Sequence, residues 1–227
     1  MSAARRGRSS GSWRELADLP FAAALVPHTG GLVAGEAYDG AHLDQLTLDE
    51  PDAAGTRFLD CAFTRVSVSG GTLRRAHLAG VWLQEVRLVG ASLAESSWTD
   101  VTFSGGVAAG VEAFGAQLRR VTLRGCKLDS VNFREAALTD VTFDGCLLRD
   151  VDFSGAALTR TAFPGCQLSR ADFSRARCDQ VDLRGAELGI ITDPGALRGA
   201  IVTGGQLIQL APLLAASIGI VVDDSGG

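Results

Sequence analysis

The chain has 227 residues, 46% of them apolar and 21% charged, with 28 glycines and a formal net charge of −5. This composition excludes a disordered chain, points to one or two turn-rich folded domains, and supplies no field of the strength that marks nucleic-acid or membrane binders. Five cysteines, Cys61, Cys126, Cys146, Cys166 and Cys178, form an odd set with no CxxC pair, which implies reduced thiols and a cytoplasmic location.

Residues 1–12, MSAARRGRSSGS, are basic and rich in Ser and Gly and read as a disordered tail. No signal-peptide apolar core lies close behind it, and no run of eighteen apolar residues occurs, so a soluble protein is expected. The stretch WRELADLPFAAALVPHTGGLV, residues 13–33, is apolar, and Pro20 and Pro27 break any long helix in it. Residues 13–40 are expected to form an N-terminal cap.

From Ala41 to Ile190 the chain divides into 30 consecutive blocks of five without an insertion, from AHLDQ and LTLDE to VDLRG and AELGI. The first position is small, the third is large and apolar, and the second, fourth and fifth are polar or Gly. An α-helix would scatter a period of five around its axis, and a flat strand would alternate it between two faces. A chain that turns a corner in each block points two of every five residues inward, and so winds into a solenoid. From 128 to 173 the third positions alternate Leu and Phe. Four blocks per coil would stack Phe on Phe and align Cys126, Cys146 and Cys166, although a two-block period fits the same arithmetic. Two blocks, GVAAG and VEAFG, carry Ala108 and Ala113 where a large residue belongs, and predict a defect or bulged loop.

The blocks AHLAG, VNFRE, VDFSG, ADFSR and VDLRG resemble the A(D/N)LXX consensus of the pentapeptide repeat family. The resemblance implies an all-β fold, a right-handed quadrilateral parallel β-helix with four short sides per coil. At four blocks per coil, residues 41–190 would make about 7.5 coils and a rod of roughly 36 Å, given a spacing of ~4.8 Å between strands.

The register fails after Ile190, and residues 191–227 are expected to form a C-terminal cap. Leu207, Leu210, Leu213, Leu214 and Ser217 recur at three and four, predicting an amphipathic helix over about 205–217 despite Pro212, with Gly219 ending it. Ile208, Leu210, Ile218, Ile220, Val221 and Val222 exceed what one end face needs. Dimeric members of the family join through C-terminal segments, so the resemblance implies a homodimer with Leu207, Ile208, Leu210, Leu213, Leu214, Ile218 and Ile220 at its interface.

Catalytic motifs are missing: there is no GxSxG, P-loop or HExxH, and His28, His42 and His77 lie far apart in the chain. GGVAAG, residues 105–110, reads as a loosened turn, not a phosphate cradle. The cysteine column fits small buried positions better than a tetrahedral metal site. Pairs such as Asp150 with Asp152, or Asp140 with Asp144, read as solvated outer positions. No catalytic residue, metal or cofactor is expected, and the protein is not read as an enzyme.

Function then lies on the outer sides, where rows twenty apart alternate in sign, as in Asp100, Arg120, Asp140 and Arg160. A non-catalytic binding protein or scaffold with a protein partner is the first reading. The alternative comes from the quinolone-resistance members of the family, which implies DNA mimicry directed at bacterial gyrase or another type II topoisomerase. Such mimicry needs persistently negative faces, one charge per ~1.7 Å of duplex. Residues 41–190 carry 19 Asp and Glu against 16 Lys and Arg. The acidic stretch DQLTLDEPD offers Asp49, Glu50 and Asp52 as candidate partner contacts, and Phe114, in a normally outward position, is a fourth. Direct nucleic-acid or membrane binding is not expected.

Overall fold

Each five-residue block forms one side of a coil because its fifth residue turns the chain. In the computed structural model, which describes residues 15–221, every fifth position from Gly35 to Gly185 has a positive φ, between 48° and 82°. Many of these corners are Arg, Asp or Glu, for which the left-handed region costs about 1–2 kcal/mol each. Ladder pairing and core burial on the adjoining sides offset that strain.

We number the sides one to four from residues 41–45, 46–50, 51–55 and 56–60, each recurring every twenty residues. Sides four and one share a twelve-stranded parallel sheet, because Ser97–Ser104, Gln117–Arg124 and Ala137–Asp144 run through the corner between them. Side two is an eight-stranded parallel sheet, and side three is held by single bridges from Asp52 to Thr72 and onward to Asp172. Pairing settles the period: Leu118 lies opposite Leu138 and Leu128 opposite Leu148. The chain is a quadrilateral parallel β-helix of about 8 turns with a single C-terminal helix.

First and third positions fill the rod. Phe133, Phe153 and Phe173 stack on side three with ring centroids 5.4 and 5.0 Å apart, and Phe143 stacks on Phe163 at 4.9 Å on side one. The two columns meet edge to face across the core at 6.1 Å, a favoured aromatic geometry. The thiols of Cys126, Cys146 and Cys166 are buried on side two and donate to the carbonyls of Phe103, Leu123 and Phe143 at 3.2, 3.4 and 3.1 Å. Contact with Cys146 and burial raise Cys126 and Cys166, while the same contacts lower Cys146. Among the described residues no group of three or more His, Cys, Asp or Glu could hold a metal ion.

The expected bulge at 106–115 is absent. Val107–Ala109 pairs in register with Arg87–Val89 and Lys127–Asp129, and Glu112 bridges Ser92 and Asn132. The backbone there is fixed by its neighbours, so the missing side-chain volume appears inside instead. A cavity of about 30 Å³ is bounded by Leu88, Trp98, Phe103, Ala108, Ala113 and Leu128. Its apolar walls would keep it dry. Because Leu88 and Leu128 flank Ala108 in its column, Ala108→Leu should fill the space and stabilise by about 1 kcal/mol, read as a higher denaturant midpoint.

Pairing also begins before Ala41. Ala37–Asp39 pairs with Arg57–Leu59, stacking Tyr38 on Phe58 at 5.3 Å, and Val26–Pro27 pairs with Ala41–His42. Residues 15–25 border a groove along the outside of side one, where Ala62, Thr64 and Trp82 are buried although they hold outward positions. Residues 1–14 and 222–227, which include the expected tail and Val222, lie outside the described residues.

At the other end a 3₁₀ turn, Pro194–Leu197, replaces two sides, and Ala200–Ile201 pairs with Val181–Asp182 to complete the last turn. The helix α1, Gly204–Ser217, comes next, its start fixed by a reciprocal capping box between Thr203 and Gln206. Its buried contacts are Gln206 and Leu210. Gln206 donates to the carbonyls of Leu183 and Ala186 at 2.7 and 2.9 Å, satisfying backbone that the next coil would otherwise cover. Gln206→Leu should strand the Ala186 carbonyl and leave Leu183 only its bond from the Ala186 N–H at 3.1 Å, at a cost of about 1–3 kcal/mol, detectable as accelerated exchange in residues 181–190.

Candidate interaction surface

The outward positions carry ladders of ion pairs between coils. Arg120 grips Asp100 through two bonds of 2.6 Å, and Arg160 grips Asp140 at 2.6 and 2.9 Å. Arg170 with Asp150 and Arg149 with Asp129 repeat the arrangement, and Arg65 reaches Asp44 at 2.7 Å. The hydrogen bond from each arginine is the main reason that Asp100, Asp129, Asp140 and Asp150 sit below the ordinary carboxylate range. Each pair is exposed and contributes little by itself, but together they favour one stacking register.

The lowered carboxylates fix the sign of the pH response. Their stabilisation is present above the unfolded value near 3.9 and is lost as pH falls through the lower folded values. Melting temperature should therefore hold between about pH 8 and 5 with respect to these groups and drop below about pH 4, followed by circular dichroism.

The four candidate partner contacts are not brought together. Asp49, Glu50 and Asp52 are exposed at the corner of sides two and three in the first full coil. Glu50 there accepts from the Gly71 N–H at 2.8 Å and Asp52 from the Ala54 N–H at 3.3 Å, so both also brace turns. Phe114 lies three coils further along on side three and is 38% exposed. Of the candidate interface residues, Leu207, Ile208, Ile218 and Ile220 are exposed, Ile208 by 75% and Ile218 by 76%. Leu213 and Leu214 are half-buried, and Leu210 is buried within the chain.

Phe114 opens into a groove that the one-dimensional reading missed. About 690 Å³ of space at the corner of sides three and four is lined by Phe114, Arg134, Glu135, Ser154, Arg175 and Arg177. These residues span more than sixty positions in sequence, and the period of twenty assembles them. Writing the sequence in rows of twenty would have shown them as neighbours. A second groove, about 340 Å³ on side two, presents Val107, Lys127, Leu147 and Gln167.

The sequence profile described as the pentapeptide repeat region matches residues 56–133, 96–173 and 116–191, the same stretch that winds into coils. The chain belongs to the pentapeptide repeat family. Among solved structures, this pentapeptide repeat protein is similar to full-length QnrB1, described as a plasmid-mediated fluoroquinolone resistance protein, with 19% identity, a TM-score of 0.50, and coverage of 86% of this chain and 100% of that one. It is also similar to HetL of Nostoc sp. strain PCC 7120, described as involved in heterocyst differentiation regulation, with 21% identity, a TM-score of 0.44, and coverage of 76% and 91%. No curated protein matches it. No helix among the described residues is long and apolar enough to cross a membrane. A rod filled by its own side chains offers a partner its sides, where these grooves and the one beside residues 15–25 lie.

Proposed function

We propose that this pentapeptide repeat protein is a non-catalytic binding scaffold that engages a protein partner through the outer sides of its β-helix. The observation that carries this reading is the division of space: the interior is packed, while grooves with exposed side chains lie outside. Four variants, each reversing the exposed charges of one side, test it. The expected result is that one variant loses a bound partner that wild type and the other three retain. A partner held equally by all four would refute the reading.

The exposed Leu207, Ile208, Ile218 and Ile220 support a homodimer through the C-terminal segment. Mass in solution should fall to that of a monomer on truncation after Ile201, and an unchanged dimer would sink that assignment. The unbroken rod also supports action on a bacterial type II topoisomerase, with Asp49, Glu50 and Asp52 as contacts. The ion-pair ladders weigh against it, because arginines already neutralise much of the carboxylate charge that mimicry of a phosphate backbone needs. A supercoiling assay with purified gyrase should show no inhibition, protection or binding at micromolar protein. An effect abolished by reversing those three acids would establish the topoisomerase reading instead.

A further inference from the structure

We propose that the groove at the corner of sides three and four is a docking site for a short, extended, acidic peptide segment with an aromatic residue at one end. The inference rests on the scaffold reading and names the partner chemistry of one of its surfaces.

The groove is built by a local change in side-chain size. Down side three the fourth positions run Phe114, Arg134, Ser154, and down the adjoining corner the fifth positions run Glu135, Gly155, Arg175. Small residues in the middle row leave a floor of Ser154 and Gly155, with Phe114 and Arg134 on one wall and Arg175 and Arg177 on the other. Four rows at ~4.8 Å separate Phe114 from Arg175 by about 14 Å, the length of roughly four residues of extended chain at ~3.3 Å each.

The charge is opposite to that of the whole protein. Three guanidinium groups face one carboxylate in the groove, in a chain of net charge −5. Arg134 is anchored through its Nε to Asn132 at 3.1 Å and lies 3.6 Å from Asp152. Among the described residues the side chains of Arg175 and Arg177 have no hydrogen bond or ion pair, although both are exposed. Planar guanidinium groups match carboxylates in bidentate fashion, and Phe114 supplies a flat apolar face beside them. Glu135 leans across the floor, its Cγ 3.6 Å from where a β-carbon on Gly155 would stand, so it opposes an acidic ligand. On side three the groove is flanked by an acidic rim, the bridged row of Glu112, Asn132, Asp152 and Asp172. A long polyanion such as a nucleic acid would cross that rim, whereas a segment of four or five residues fits inside it.

The test uses the full chain and a fluorescein-labelled hexapeptide, Trp-Gly-Glu-Asp-Glu-Gly, read by fluorescence anisotropy at low salt. Wild type should bind it at least about tenfold more tightly than the matching peptide with three lysines. The double variant Arg175→Glu/Arg177→Glu should lose about tenfold or more, and Glu135→Gln should gain about threefold. Arg87→Glu/Lys127→Glu on side two makes the same change in net charge and should have little effect. Equal loss in the two double variants, no gain in Glu135→Gln, or tighter binding of a labelled single-stranded oligonucleotide than of the peptide would overturn the proposal. These positions are exposed, so unchanged melting curves separate lost binding from lost fold. If the peptide fails while a different side's variant loses a partner, the groove is refuted and the scaffold reading stands.

Discussion

Deleting residues 141–160 should yield a folded rod one coil shorter, whereas deleting 141–145 alone should abolish the fold beyond that point. Removal of twenty residues places 161 after 140, and each later residue keeps its side and its inward or outward direction. Phe133 then stacks on Phe173 as it now stacks on Phe153, and Leu138 meets Cys178 where Leu158 stood. The left-handed corners stay at every fifth position. The five-residue deletion keeps the corners too but rotates all later coils by one side. Columns of Leu would then meet columns of Phe, and the strand Gln117–Arg124, which now pairs with 141–144, would adjoin the side-two block 146–150 instead. Each misplaced layer combines a void with an overlap, at roughly 1–5 kcal/mol per site, against a total stability of about 5–15 kcal/mol. Denaturant midpoints and exchange of the segment after the junction distinguish the outcomes. A folded five-residue deletion with native-like protection over 161–190 would contradict the four-sided register.

Phe153→Ala should cost about 3–5 kcal/mol, the upper range for a core aromatic. Phe153 is completely buried and, among the described residues, is the only ring in contact with four others: it stacks on Phe133 and Phe173 and meets Phe143 and Phe163 edge on. Parallel ladders above and below hold the backbone, so the walls cannot collapse into the space left behind. Phe153→Leu retains most of the volume and should cost about 1–1.5 kcal/mol. Phe114→Ala removes the same atoms from an exposed site and should change the midpoint by no more than about 0.5 kcal/mol. The contrast between two alanine variants of one residue type, measured in urea, isolates position from chemistry.

The repeat made the fold legible because solenoid geometry is local: a block such as VDFSG contains its inward pair, Val151 and Phe153, and its corner, Gly155, without reference to the rest of the chain. The left-handed conformation at Arg160 or Glu135 was not legible, since neither residue type favours it. Nor was the regular backbone at Val107–Ala109, where two alanines hid a strand that neighbouring coils enforce. Gln206 escaped for a different reason. A polar side chain in an amphipathic stripe reads as solvent-facing unless the carbonyls it satisfies are already in view. The outward position of Phe114 came from its phase, but its arginine neighbours are 20, 61 and 63 residues away and become adjacent only when the period folds into columns. Burial of Ala62 and Trp82 needed knowledge of residues 15–25, which carry no repeat and so no phase.

The helix α1 and the two bonds from Gln206 also bear on self-association. A parallel β-helix is a template whose last coil displays a row of unpaired backbone groups to any further chain of matching register, and thirty blocks of one pattern make every other copy such a chain. By crossing that end and occupying the carbonyls of Leu183 and Ala186, the helix turns an open-ended growth face into a terminus. Another copy could stack on that face only after the helix had been displaced, so the helix opposes end-to-end growth of a sequence built for repetition.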